Sequence, residues 1–440
     1  MKTDTAEVLK VECIYLNGSW HKNASIKISE NGSYEITNAA HTKELSGTFI
    51  TSICNFHSHA FQYAMAGAGE NFQKGGGDDF WSWRESMYAL ALSVSPETLF
   101  AIARQLYSSM LLNGYDTVTE FHYLHHDLDG SRYNDPALLS KTLIDAAKSV
   151  GINIILCPIY YKTSNFGKES LPDQRRFTFK NPVEYLNLFS VLKERESIAD
   201  GITILPGIHS LRAATVEEIK EIFNSTTEDF HIHIAEQTKE IEMCQKYYGK
   251  RPVELLFDNI SNTSRLQLVH STHINKDEIS LIAKSGANVI ICPTTEANLG
   301  DGIFPLNDYV SKGGHFTIGS DSHVCLSPFE ELKILDFSQR LSTLKRSTSM
   351  ADNEGEIGNF LFNKAIEVQR SKSYNRAENL VMLNMNHPVI ATKSTSKILS
   401  GLISCFDSTM ISKIYLSKEK KFYEECTDIR NQFLDQVKKI

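Results

Sequence analysis

Eight short runs rich in β-branched residues recur between residues 49 and 321, and stretches of helical periodicity separate them. The runs are Phe49–Phe56, Thr117–Tyr123, Asn153–Tyr160, Thr203–His209, Phe230–Glu236, Leu266–Thr272, Ala287–Thr294 and His315–Asp321. Helix signals fill the gaps. Ser95-Pro96-Glu97 opens a helix that stops near Gly114, and Asp135-Pro136 opens one that stops at Gly151. Thr215-Val216-Glu217-Glu218 opens a third, and Asn275 and Gly286 bracket a fourth. Ser, Asp, Thr and Asn side chains cap the free N–H groups of a helix start, and glycine accepts the left-handed turn that ends it. Eight strands alternating with helices over roughly 270 residues read as an α/β fold, a (β/α)8 barrel of the TIM type. A doubly wound dinucleotide-binding sheet is the alternative, but no Gly-x-Gly-x-x-Gly follows the first run.

The two ends of the chain have another texture. Val8–Leu16, Ala24–Ser29 and Tyr34–Thr37 are short strands broken by Asn-Gly turns. Leu380–Leu383, Gly401–Phe406 and Ile414–Tyr415 resume the pattern before a charged, helix-like stretch from Lys418. The expected division is a barrel over residues 53–377 and a small β-sandwich domain from residues 1–52 and 378–440. With 45 basic and 53 acidic side chains the net charge is −8, which argues against nucleic acid or an anionic membrane as the main partner. No apolar run approaches the ~18 residues of a membrane span, and the polar start lacks a secretory core. Eight scattered cysteines without a Cys-x-x-Cys pair suit the thiols of a cytoplasmic protein.

Histidine carries the chemistry. Eleven of fifteen histidines fall at or just below the C-terminal ends of the eight runs, where a barrel of this type builds its site. His57 and His59, two apart on one strand, point the same way into the barrel mouth, and two ring nitrogens on a rigid strand suit a divalent ion. Asp321 ends the eighth run, beside the first in a closed barrel, and His233 ends the fifth across the mouth. Three histidines and one aspartate leave an open position for water. Glu236, three residues after His233, stands just past the strand end, free to move protons rather than ligate. His270, ending the sixth run, is placed to polarise substrate or help activate water. His231, two residues deeper on the His233 face, reads as a satisfied core histidine. The fourth run, Ile204-Leu205-Pro206-Gly207-Ile208-His209-Ser210, lacks the lysine that bridges two metals in related hydrolases, so a single metal is expected.

Longer strings go further. They are Asn55-Phe56-His57-Ser58-His59-Ala60-Phe61-Gln62, Phe80-Trp81-Ser82-Trp83-Arg84, Glu120-Phe121-His122-Tyr123-Leu124-His125, His209-Ser210-Leu211-Arg212 and His231-Ile232-His233-Ile234-Ala235-Glu236-Gln237. Cys292-Pro293-Thr294-Thr295-Glu296-Ala297-Asn298-Leu299-Gly300-Asp301-Gly302 and Gly319-Ser320-Asp321-Ser322-His323 complete the set. Together they resemble the amidohydrolase superfamily in its mononuclear deaminase branch, and within it the formimidoylglutamate deiminases of histidine degradation. The resemblance implies that His57, His59, His233 and Asp321 hold one Zn²⁺ per chain, a donor set that Fe²⁺ or Mn²⁺ also fits. It implies proton carriers at Glu236, His270 and Asp321, and a substrate pocket of Gln62, Arg84, Tyr123, His209 and Arg212. N-formimino-L-glutamate carries two carboxylates, and an anionic protein needs well-placed guanidinium groups to hold both. A homodimer is implied too.

Four departures stand out. Tyr63 replaces an expected Arg, Thr51-Ser52-Ile53-Cys54 replaces a Pro-Gly approach to the first strand, Gly75-Gly76-Gly77 lengthens the loop before Arg84, and Asn375-Arg376-Ala377-Glu378-Asn379 replaces a Gly-Lys-x-Ala-Asp strand. The rival readings are a deaminase of a neutral purine, pyrimidine or triazine, a metal-binding scaffold without catalysis, and a formimino-hydrolase that releases formamide.

Overall fold

The computed structural model describes residues 7–440 except 31, 69, 71–79, 198–199, 347–354 and 373, and only the backbone of Phe80, Trp81 and Ser82. Two sheets organise the chain. The first takes strands from both ends: β1 (Val8–Leu16), β2 (Ser19–Ile28), β3 (Tyr34–Ile36), β4 (Lys43–Thr51), and, from the tail, β14 (Leu380–Leu383), β15 (Ile411–Leu416) and β16 (Lys421–Phe422). Its order is β16-β15-β14-β4-β1-β2-β3, mixed because β1 and β4 run parallel. Asn17 and Gly18, both left-handed, turn β1 into β2. A separate apolar cluster that includes Val11, Ile14, Phe49 and Tyr415 fills this sheet's buried face.

The second sheet is the barrel. β5 (Ile53–Ser58), β6 (Tyr115–His122), β7 (Asn153–Tyr160), β9 (Gly207–Ser210), β10 (Phe230–Ile234), β11 (Leu266–His270), β12 (Asn288–Ile291) and β13 (His315–Ile318) follow one another in parallel, and the short β8 (Ile202–Ile204) pairs with β7. Helix boundaries follow the expected chemistry. Ser95 caps Pro96–Leu112, Thr215 and Glu218 form a reciprocal capping box, Asn275 and Glu278 form another, and Gly151 and Gly286 end their helices left-handed. Among the described residues no helix is long and apolar enough to cross a membrane.

Three sequence expectations need correction. The run Phe49–Phe56 is two strands in two sheets, β4 and β5, divided at Ser52, whose N–H and hydroxyl both turn aside to the Asn379 carbonyl. The fourth run is split because Pro206 offers no N–H to the ladder. Gly401–Phe406 is not a strand. Residues Ile398–Ser404 form a helix, and its backbone at Leu399 and Ser400 comes so close to Gly358 that any side chain there would collide. A short apolar run does not declare its period, so packing decides.

The barrel closes at the seam between β13 and β5. The Ser320 and Asp321 N–H groups both donate to the His57 carbonyl at 3.0 Å. Asn55 pins the same place: its Nδ2 donates to Ser320 Oγ at 2.7 Å and its Oδ1 accepts the Ser320 N–H at 3.1 Å. Gly319 lies across from His57, where an added Cβ would stand 2.6 Å from the His57 Cβ.

The segment Asn375–Asn379, a departure in sequence, clasps barrel to sheet. Arg376, 3% exposed, reaches both oxygens of Asp116 in β6 at 3.0 and 3.3 Å. The Asn379 N–H donates to Asp116 Oδ2 at 3.1 Å, and the Glu378 carboxylate accepts the Tyr34 N–H of β3 at 3.0 Å. Gly32, left-handed, is pressed against the Arg376 carbonyl. Breaking a buried ion pair strands the remaining charge, at a cost of about 3–5 kcal/mol. Arg376→Met is therefore expected to destabilise the full chain by that amount, read as a lowered urea midpoint; an unchanged midpoint would show that the clasp carries no stability.

Candidate metal centre and cleft

Strands β6 and β10 to β13 end one to three residues before the sequence runs suggested, and the chemistry begins where they end. Ala235, His270, Ser271, Asp321 and His323 all have positive φ, between 46° and 69°. Such backbone is strained for residues with a side chain and persists where the surroundings hold it. Here it lifts Glu236 and Asp321 out of strand register and aims them over the mouth.

Four donor atoms converge there. His57 Nε2 lies 3.1 Å from His59 Nε2 and 2.9 Å from His233 Nε2. Asp321 Oδ1 lies 3.4 Å from the first nitrogen and 3.2 Å from the second. Hydrogen bonding alone does not account for such a cluster, since one neutral ring nitrogen cannot both accept from and donate to its neighbours. The protonation states agree. Burial pulls His57 down to about 3 and holds His233 well below the usual histidine range, so both rings present lone pairs. Burial alone would raise the Asp321 carboxyl, but its contacts with His57 and His59 hold it well below the usual carboxylate range. His59 Nδ1 donates to the Phe121 carbonyl at 2.9 Å, which leaves its Nε2 free to ligate. His57, His59 and Asp321 offer one set of donor atoms within 4.8 Å of one another and His57, His233 and His270 another, so the residues present can hold a divalent ion.

Behind this cluster lies a carboxylate whose role the sequence reading did not identify. Glu120 accepts from Ser58 Oγ at 2.9 Å, the Ala60 N–H at 2.5 Å and Tyr107 Oη at 3.1 Å, bracketing His59 on both sides. Burial pushes it up to about 7. The string Glu120-Phe121-His122 was visible in sequence, but only the fold shows that its first residue braces the β5 end.

His270 stands next to the four atoms. Its Nε2 is 3.7 Å from Glu236 Oε1 and 4.0 Å from Asp321 Oδ2, and its Nδ1 is 3.3 Å from Glu296 Oε1. Burial pulls the ring down, but these three carboxylates outweigh it and push His270 up to about 10. Glu236 Oε2 faces Arg212 Nη2 at 3.5 Å.

Above the cluster opens a cleft of about 530 Å³. All the residues expected to bind substrate line it: Gln62, Arg84, Tyr123, His209 and Arg212. Gln62 Nε2 donates to Tyr123 Oη at 2.9 Å, and Gln62 Oε1 is left buried without a partner. The His209 ring packs edge-on to His233 and is held neutral by burial and by the charges of Arg212 and Arg84. Arg84 donates from Nε to the Tyr88 hydroxyl and lies over that ring. Trp83, Met87, Tyr88, Tyr161, Phe177 and Leu299 complete the lining. Of these, Tyr88, Tyr161 and Phe177 went unremarked in sequence, although Tyr161 follows a strand end and so was findable there.

The remaining features separate from the site. Tyr63 faces away from the cleft toward Phe433 and His323, so this departure leaves the lining untouched. His125 and His126 bond to the Ile159 and Thr178 carbonyls and are structural. His231 is buried as expected, but neither ring nitrogen meets a protein partner among the described residues. Gly75–Gly77 and the side chains of Phe80, Trp81 and Ser82 lie outside the described residues.

Comparison with known proteins bears on this arrangement. The model of the amidohydrolase family matches residues 48–355. Over 395 residues the chain is 40% identical to the formimidoylglutamate deiminase of Pseudomonas aeruginosa, covering 87% of each. The crystal structure of an amidohydrolase from Brucella melitensis, 32% identical, superposes with a TM-score of 0.89 over 98% of this chain and 99% of that one. An adenosine deaminase from Xanthomonas campestris with bound zinc shares the fold at a TM-score of 0.76 and 14% identity, over 99% of both.

The converging atoms lead to a stoichiometric expectation of about one divalent ion per chain by elemental analysis after dialysis. Loss of an outer-shell partner alone weakens metal sites about 10–100-fold, so His59→Ala and Asp321→Ala are expected to weaken binding by more. Full occupancy in both variants would place the ion elsewhere.

Proposed function

The chain belongs to the amidohydrolase family, and from that premise we propose that it hydrolyses N-formimino-L-glutamate to N-formyl-L-glutamate and ammonia, a step of histidine degradation. One observation carries the substrate assignment: two guanidinium groups, Arg84 and Arg212, line the small cleft over the His–Asp cluster of a chain whose net charge is −8. Their charges act on the same His209 ring, so they flank one space. A neutral heterocycle gives neither arginine a partner, whereas a dicarboxylate gives both one. The 40% identity with a formimidoylglutamate deiminase supports the same reading.

The roles follow from position. A divalent ion held by His57, His59, His233 and Asp321, zinc by preference for this nitrogen-rich set, supplies Lewis acidity and lowers the pKa of water toward neutrality. Asp321 keeps Oδ1 on the imidazoles and turns Oδ2 toward His270, so Asp321 receives the proton that water gives up while His270, kept protonated by its carboxylates, polarises the substrate. Glu236, beside the same His270 nitrogen, carries a proton to the nitrogen that leaves as ammonia. Water oxygen bonds to the formimino carbon, the carbon–nitrogen bond breaks, and the formyl group remains. Arg84, Arg212, Gln62, Tyr123 and His209 hold the two carboxylates so that this carbon stays near the cluster, where small displacement is costly. All eight cysteines are free, which favours the cytoplasm. The resemblance to this family favours a homodimer.

The reaction is tested by adding N-formimino-L-glutamate to zinc-loaded protein and separating ammonia from formamide in the products. Ammonia is expected; formamide as the nitrogen product would sink the assignment. Glu236→Gln is expected to lower kcat by about 10²–10⁴-fold while zinc content stays unchanged. Near-normal turnover in that variant would remove Glu236 from proton transfer. Arg84→Met and Arg212→Met are each expected to raise KM by about tenfold or more, the scale of a charge-assisted hydrogen bond. Unchanged Michaelis constants in both would favour a neutral heterocycle.

A further inference from the structure

A hydrogen-bond count in the cleft wall singles out a further donor. Gln174 closes the turn Pro172–Gln174 and is 0% exposed. Its Oε1 accepts the Leu171 N–H at 2.8 Å, and because a backbone N–H can only donate, this contact settles which end of the amide is oxygen. Gln174 Nε2 then faces two phenols, Tyr88 and Tyr161, each at 2.8 Å. An amide nitrogen has two hydrogens and accepts nothing, so both phenol oxygens act as acceptors here.

Tyr88 is doubly engaged, because its oxygen also takes the Nε–H of Arg84. With both lone pairs filled it cannot accept from Tyr161. The Tyr161 hydroxyl keeps its own proton: the Tyr88 oxygen in reach of it already takes two donors, and no other acceptor meets it among the described residues. Tyr161 lines the cleft between the two arginines, edge-on to the His209 ring at 4.8 Å between centroids. Burial raises the Tyr161 phenol above its usual range, so that proton stays in place. A buried donor without an acceptor is costly until a ligand supplies one.

We propose that Tyr161 donates a hydrogen bond to a carboxylate of the bound dicarboxylate and is a specificity-determining residue, with Gln174 as its positioning residue. The proposal rests on the dicarboxylate reading above and deepens it. One amide thereby sets two groups: it fixes the Tyr161 hydroxyl directly, and it holds Tyr88 where Arg84 meets it.

Two measurements on zinc-loaded protein separate this assignment from the reaction itself. Calorimetric titration with glutarate is expected to show about tenfold weaker binding by Tyr161→Phe than by the wild type. The KM for N-formimino-L-glutamate is expected to rise by a similar factor, with kcat within about threefold. Gln174→Met is expected to move KM in the same direction with the same small change in kcat; a collapse of kcat with unchanged KM would make Gln174 merely structural. Tyr160→Phe serves as control, since Tyr160 packs on Phe179 and Tyr185 outside the cleft lining. Equal glutarate affinity in Tyr161→Phe and wild type, or no glutarate binding by the wild type, would overturn the proposal. Wild-type protein that binds glutarate, loses that binding in Tyr161→Phe, and releases no ammonia would support Tyr161 and refute the reaction instead.

Discussion

The structure depends on one seam. β5 and β13 are about 260 residues apart in sequence, yet they must meet for the barrel to close, and they meet at His57 and Asp321, two of the converging donor residues. The His57 carbonyl accepts two N–H groups from Ser320 and Asp321, so the bonds that close the sheet also hold His57 against Asp321. Asn55 locks the seam from one side, and Gly319 permits the approach because it has no side chain. Fold stability and site geometry are therefore one constraint here. A defect at the seam opens the barrel and scatters the ligands together.

Electrostatics divides the mouth into three layers. The lower layer is neutral imidazole around one low-lying carboxylate, made so by burial and by contact of Asp321 with His57 and His59. The middle layer gathers Glu236 and Glu296 around His270 and raises its affinity for a proton. Above them, Arg84 and Arg212 set two positive charges in the cleft against the −8 background. Neutral imidazoles, carboxylates around a protonated His270, and guanidinium groups thus follow one another up the cleft. Strained backbone at Ala235, His270 and Asp321 is what allows neighbouring residues to serve different layers.

Much of this was legible before any coordinates. The His57-Ser58-His59 pair could be read because strand alternation sends both rings to one side, and that geometry is local. Helix caps at Ser95, Thr215 and Asn275 were equally local and agree with the fold. What went unread required partners remote in sequence. Glu120 shows its purpose only once β6 lies beside β5. Gln174, on an irregular turn, gives no periodic signal at all, and its link to Tyr88 joins two separate connections. Gly401–Phe406 misled because a short, mostly apolar run suits either period.

The sequence by itself determined the class of fold, the strand ends at which chemistry would stand, and the residue types able to hold a metal and an anion. Those follow from periodicity, capping and side-chain chemistry, which act over a few residues. Tertiary structure alone decided that the strand pattern at residue 52 parts into two sheets, that Arg376 clasps them, and that one Gln174 amide donates to both Tyr88 and Tyr161. Each of these is a question of which polar group satisfies which, and a buried hydrogen bond is settled by what the folded chain brings within about 3 Å.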